Sequence, residues 1–423
     1  MRVDLVKRLR QGTAAVLAVA NEQWLRTSLA LSAYALVWRT YAGLQEAVGP
    51  GPSTGGDSVY DRLIMAASVL SYTALGMLLL FPPLFAARYL AGAPLPQRSR
   101  LDSGLHLAIL FLLATQTTVA NITGVVDLLV APLAGDLLRV AWRAGAAAST
   151  LLATLALPLY IARAQYSVPC HLLFLPGIAA TAAAADLALV LPTRAASAVL
   201  TLAFSLWGAG VIPALTFSVA HIHQSIRQIS ARRPEDGPRP VLRVLASPLA
   251  TVSQLALAIM ALGVQSRRVW GDTVGPATAP LLLGELAMAA GAILGLIFWA
   301  AAAAWFVHSH IAAATAHLRQ HDRRLLLWQL PTASAHLMYP LASFTLATIY
   351  VTRIWRSYSA LLISRLLIVY LSMHLLAMVV CLFACGIGSL QSRRRRRRVS
   401  SSGYSDDLDA LPVSESAASY GAI

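Results

Sequence analysis

The sequence predicts an all-α, polytopic membrane protein with ten transmembrane helices. Three observations carry that prediction. Of 423 residues, 57% are apolar and only 12% charged, whereas a soluble surface needs about 25% charged residues. The mean hydropathy is +0.65. The charges fall between long apolar runs rather than through them, which is the pattern of loops between spans. This balance disfavours soluble enzymes and nucleic-acid-binding proteins, and no nucleic acid partner is expected. The formal charge of +15 comes from 32 arginines and the single Lys7, placed mostly in connections and tail, where it suits anionic lipid. Cys170, Cys381 and Cys385 are too few for a disulfide framework and read as small buried side chains.

A bilayer core about 30 Å thick takes roughly 20 helical residues, and that length places spans near 24–44, 63–87, 105–126, 138–161, 170–191, 196–220, 244–264, 280–306, 332–352 and 360–388. The first carries Ser28 and Ser32, with Arg26 and Arg39 close enough to its ends to reach headgroups as anchors. The second is bland, with Arg62 at its edge. The third holds the polar run Thr115, Gln116, Thr117, Thr118 and Asn121. The fourth is rich in Ala and Leu, is interrupted by Pro158, and has Arg139 and Arg143 near its start. The fifth has Pro176, Gly177 and Thr181, with Asp186 near its outer end, placed to pair with an arginine or attract a cation. The sixth is again bland apart from Pro213. The seventh holds Ser247, Pro248, Ser253 and Gln254. The eighth has Glu285 near one end and His308, His310, His317 and His321 at the other. The ninth carries Thr332, Ser334, His336, Pro340, Ser343 and Thr345. The tenth holds Arg365 and His374 and runs into a basic block.

Odd spans therefore carry hydroxyls, amides and prolines that the even spans mostly lack. Helices lined with such groups, and bent by prolines that free carbonyls, suit a narrow polar conduit surrounded by protein. The competing account is that Ser and Thr join helices to one another. No spacing of His, Asp, Glu and Cys makes a metal site, and no cofactor is expected.

An even number of spans puts both termini on one side. With the N-terminus inside, inner segments hold 22 Lys and Arg, including Arg393 to Arg398, and outer loops hold five: Arg194, Arg267, Arg268, Arg353 and Arg356. Cytoplasmic loops carry such an excess, so both termini are expected in the cytoplasm. The chain divides into a cytoplasmic N-terminus at 1–23, a ten-span domain at 24–390 and a disordered tail at 391–423, basic and then acidic. Within the tail, Tyr420 and Ile423 have the spacing of a sorting signal, and Ser405 precedes two aspartates as in an acidic kinase site. The expected location is the plasma membrane, with a vacuolar membrane as the alternative.

Several segments resemble the tellurite-resistance/dicarboxylate transporter family, which includes fungal sulfite efflux pumps, malic acid transport proteins and plant slow-type anion channels. Trp24-Leu25-Arg26-Thr27-Ser28-Leu29 resembles the family's Trp-Phe-x-Val-Thr-Met opening. LATQTTVANITGVV at 113–126 resembles its third span, and LLFLPGIAATAAAADLALVLP at 172–192 its fifth. LWG at 206–208 and SPLATVSQLALAIMALG at 247–263 are similar to fungal segments, and MYPLASFTLATIYV at 338–351 resembles the ninth span.

That resemblance implies five helical hairpins around a central pore, odd helices inside and even helices outside, often as a homotrimer. It implies transport of a small inorganic or organic anion, sulfite or a C4-dicarboxylate such as malate, by a channel or a proton-coupled carrier. A family phenylalanine that plugs the pore before the ninth-span proline corresponds to Tyr339, ahead of Pro340. The pore-lining and anion-binding residues so implied are Ser28, Ser32, Thr117, Thr118, Asn121, Pro176, Thr181, Ser253, Gln254 and Thr345. His336 and Glu285 are the titratable candidates for proton coupling. A reading from another class is a multispanning scaffold or envelope protein that acts through its tail.

Overall fold

The computed structural model describes residues 22–48, 59–90, 100–126, 131–162, 169–230, 241–271, 279–318 and 323–401. Among these the chain forms ten α-helices and no strand. They are α1 (Glu22–Val48), α2 (Val59–Leu90), α3 (Arg100–Val126), α4 (Ala131–Ala162), α5 (Leu175–Leu187), α6 (Thr193–Ser230), α7 (Val241–Gly271), α8 (Ala279–Leu318), α9 (Arg323–Trp355) and α10 (Tyr358–Ser401).

Local chemistry explains several boundaries. α5 is only 13 residues long and reaches spanning length by continuing from a 3-10 turn at Cys170–Leu173. Pro176 stands in its first turn, where a missing N–H has no intrahelical acceptor to satisfy. α9 and α10 are joined by Arg356 and Ser357. Arg356 turns the chain with a φ of 48°, and the Ser357 hydroxyl accepts the Ala360 N–H at the start of α10. α10 runs past the expected boundary at 390 and includes Arg393 to Arg398. Arginine is a good helix former, and extending an existing helix avoids the cost of nucleation. Tyr420, Ile423 and Ser405 lie outside the described residues.

Among the described residues, eight helices are long and apolar enough to cross a membrane, all but α1 and α9. Those two carry more polar residues, and both are enclosed by the others. Each odd helix pairs with the even helix that follows it, giving five hairpins. The odd helices also close a ring: α1 packs on α3, α3 on α5, α5 on α7, α7 on α9, and α9 back on α1. Each even helix leans on its own hairpin partner and on the next odd helix, covering the seam between them.

Burial separates the two layers. The spanning windows of α3, α5 and α7 are 56%, 72% and 83% buried, against 17–28% for α2, α4, α6, α8 and α10. Every residue from Leu337 to Thr352 of α9 is buried. The exposed side chains of the even helices are large and apolar, for example Met65, Leu151, Ile212, Ile297 and Leu366, as a lipid-facing surface requires. The tightest hairpin, α7 with α8, is built on glycine. A Cβ on Gly291 would lie 2.7 Å from the Ile259 carbonyl oxygen and 3.2 Å from the Gly263 Cα, so only bare backbone permits this approach.

Candidate functional site

A ring of five helices leaves an axial space, and the faces that meet there follow from helical spacing. α9 presents Tyr339, Ser343, Leu346 and Tyr350, at steps of four, three and four residues. α5 presents Ala179, Ala182, Ala183 and Asp186, and α7 presents Gln254, Leu257 and Ala261. α1 adds Ala33, Leu36 and Thr40, and α3 adds Gln116, Thr117 and Ala120. Together they enclose a cavity of about 30 Å³, room for about two water molecules. A cavity of this size does not admit a hydrated anion in this conformation. Alanines make much of the wall, so the bore is set by backbone position more than by bulky side chains.

The polar groups of the wall are mainly uncharged. Tyr339 is 8% exposed, and neither its buried hydroxyl, which has Ser343 nearby, nor the Gln116 amide oxygen makes a well-formed hydrogen bond. Such poorly paired groups cost stability unless water or a ligand satisfies them. Gln116 fits because Gly145 of α4 leaves it room: a Cβ there would sit 3.2 Å from the Gln116 amide carbon. The Thr117 hydroxyl donates to the Leu113 carbonyl at 2.8 Å, and Thr40 donates to Leu36 at 2.8 Å. Pro340, buried behind Tyr339, has no N–H for the carbonyl one turn earlier, which loosens the helix beside the ring.

The wall holds one carboxylate, Asp186. Its Oδ1 lies 3.2 Å from Nη2 of Arg39 on α1. Nη1 of Arg39 donates to the carbonyls of Ala120 and Asn121 on α3 at 2.6 and 2.8 Å. Arg39 thus turns inward instead of anchoring at the headgroups, because a carboxylate and two carbonyls offer it partners inside the protein. Arg26 departs from the anchor role in the same way. It is 9% exposed, with Nη2 2.8 Å from Nε2 of His106 on α3.

Of the residues implied as pore-lining or gating, Thr117, Gln254 and Tyr339 meet at the cavity, whereas others hold helices together or bond within their own helix. Ser28 donates to the Ala74 carbonyl of α2 at 2.9 Å. Asn121 donates through Nδ2 to the Ser32 hydroxyl at 2.8 Å and to its carbonyl, and Ser32 also meets Thr118 at 3.3 Å. That cluster ties α1 to α3. Thr181 and Thr345 turn their hydroxyls back to Ile178 and Leu341. Ser253 is buried with an unpartnered hydroxyl, away from the cavity wall. Glu285 pairs with Arg267 at 2.8 Å, both about half exposed, on the outside of the α7–α8 hairpin. It does not line the cavity. His336 falls on α9, but its side chain lies outside the described residues. Among the described residues no group of three or more His, Cys, Asp and Glu could hold a metal ion.

The sequence left Asp186 open between an arginine partner and a bound cation and read Arg39 as an anchor, and it did not mark Thr40 or Tyr350. The signal was available for Tyr350: extending the Tyr339 stripe by helical steps through Ser343 and Leu346 reaches it.

Residues 21–387 match the voltage-dependent anion channels, SLAC1. The chain belongs to that family. No curated protein matches it. As a voltage-dependent anion channel family protein it is a multi-pass membrane protein, and the family's members are channels and transporters of anions rather than enzymes. The closed ring of polar odd helices lies wholly within the matched stretch, as do the cavity and the Arg39–Asp186 pair.

Proposed function

We propose that this protein moves a small oxyanion, sulfite or a C4-dicarboxylate such as malate, along the axis of the five-helix ring, with Tyr339 as the gate. The observation that carries the reading is the axial cavity walled by all five odd helices, mostly alanine and uncharged donors, with the Tyr339 ring in its wall. A wall of hydroxyls and amides holds an anion weakly enough to release it. The arginine asymmetry supports a membrane orientation with both termini cytoplasmic and a positive inner vestibule that draws anions in. The plasma membrane is the favoured location and a homotrimer the favoured assembly, as is common among slow-type anion channels.

The test is flux of labelled sulfite and malate by the full chain in proteoliposomes. Anion-dependent flux above empty vesicles is the expected result. A purified, folded protein that moves neither anion would overturn the reading and favour a scaffold role.

A further inference from the structure

The wall of the proposed conduit contains a carboxylate that a passive tube for anions does not need, and the arginine paired with it stands beside the cavity lining. Asp186 places a negative charge on the path of a negative substrate, and Arg39 is drawn to it across the ring from α1 to α5. We propose that Arg39 is the oxyanion-binding group of this ring and that Asp186 is its built-in competitor, a tethered carboxylate standing where a transported carboxylate or oxyanion binds. The proposal rests on the anion-transport reading and names the recognition site within it.

Three observations support it. First, Arg39 is held in place from behind. Its Nη1 is engaged by two α3 carbonyls, those of Ala120 and Asn121. A guanidinium has five N–H donors, so this anchoring leaves Nη2 to meet an anion. Second, the fold makes room for it. A Cβ on Gly124 of α3 would lie 2.6 Å from both the guanidinium carbon and Cδ of Arg39, so any larger residue would push the guanidinium off this position. Third, Asp186 itself lines the cavity and its Oδ1 stands 3.2 Å from Nη2 of Arg39, so a carboxylate or oxyanion entering the cavity arrives where Asp186 now meets the guanidinium.

The local charge agrees. Arg353 of α9, itself exposed, adds a more distant positive charge to that of Arg39. Charges on the neighbouring elements are engaged elsewhere or face outward. Asp136 and Arg139 of α4 pair with each other at 2.9 Å, Arg267 pairs with Glu285, and Arg194 and Arg268 are exposed. The ligand class follows from the stand-in. A guanidinium already shaped around a carboxylate prefers carboxylates and other oxyanions to halides, because two oxygens match the planar fork and a sphere does not.

The experiment uses the purified full chain, with malate and sulfite as probes and chloride as the control. It reads thermal stabilisation in detergent as well as KM for flux in vesicles. Asp186→Asn keeps the shape and removes the competing charge, so the apparent KM for malate should fall about tenfold. Arg39→Gln should lose stabilisation by malate and sulfite while chloride behaves as in the wild type. Since Arg39→Gln leaves Asp186 buried without its cation and lowers folding, the double variant Arg39→Gln/Asp186→Asn removes both charges. It should recover folded protein but not oxyanion stabilisation.

A double variant that binds malate as the wild type does would overturn the site. So would an unchanged or raised malate KM in Asp186→Asn. Wild-type protein stabilised by malate through Arg39 but showing no flux would leave this site standing and overturn transport instead.

Discussion

Tyr339 combines a bulky ring in the cavity wall with a buried hydroxyl that lacks a full hydrogen bond. As a gate, its replacement by alanine should raise anion conductance severalfold per folded molecule. As a plain core residue, the same change should cost about 3–5 kcal/mol of packing and lower the yield of folded protein without raising normalised conductance. Tyr339→Phe should leave folded yield level or raise it, because it removes a buried hydroxyl that lacks a full hydrogen bond, and should keep the passage shut. Patch recordings normalised to surface protein decide between the two. The neighbouring polar residues divide in a way that composition could not reveal. Gln254→Leu should lower flux by about tenfold at constant yield, the effect of losing one hydrogen bond of about 1–1.5 kcal/mol from an anion in transit. Asn121→Leu should instead lower folded yield, since Asn121 joins α3 to Ser32 of α1 at a worth of about 0.6–2 kcal/mol in a membrane. Both residues are amides in odd helices. Which face each occupies depends on how the helices rotate against each other, and that is decided by tertiary packing rather than by sequence position.

At the scale of elements, the hairpin of α7 and α8 gives the sharpest test. Gly291→Leu would drive a side chain into the Ile259 carbonyl and Gly263, and overpacking of this kind costs about 1–3 kcal/mol. Gly76→Leu is the control, because nothing lies within 4 Å of a Cβ there. Thermal melts in detergent should show a loss for the first and little change for the second. The helices themselves were largely legible: apolar runs of spanning length marked a segment on each of the ten, although α1 and α9 fall short of a spanning helix's apolarity, and the polar content of odd spans separated the ring from its outer layer. The ends were not, as α10 shows by continuing through six arginines, and as α6 and α8 show by running on to Ser230 and Leu318. Hydropathy marks where a helix leaves lipid, whereas hydrogen bonding marks where it stops. The Arg39–Asp186 contact was illegible for another reason. Its partners are 147 positions apart in the chain, and Arg39 near a span end is indistinguishable by hydropathy from an anchor.

For the whole molecule, the arginine asymmetry makes a topological prediction. In a variant with Cys170, Cys381 and Cys385 replaced by alanine, cysteines at Ser53 and Thr273 should react with an impermeant reagent added to intact cells, and one at Ser230 should not. Labelling of Ser230 would sink the proposed orientation. The closure of α9 back onto α1 also sets the order in which the molecule can be completed during synthesis. α1 emerges first with Arg26, Ser28, Ser32 and Arg39, yet one of its two ring neighbours is encoded more than 300 residues later. Until α9 is inserted, the nascent protein is an open horseshoe whose polar inner faces have neither lipid nor protein suited to them. A chain stopped after α8 should therefore be retained and degraded by membrane quality control, and supplying α9 and α10 as a separate polypeptide should rescue it.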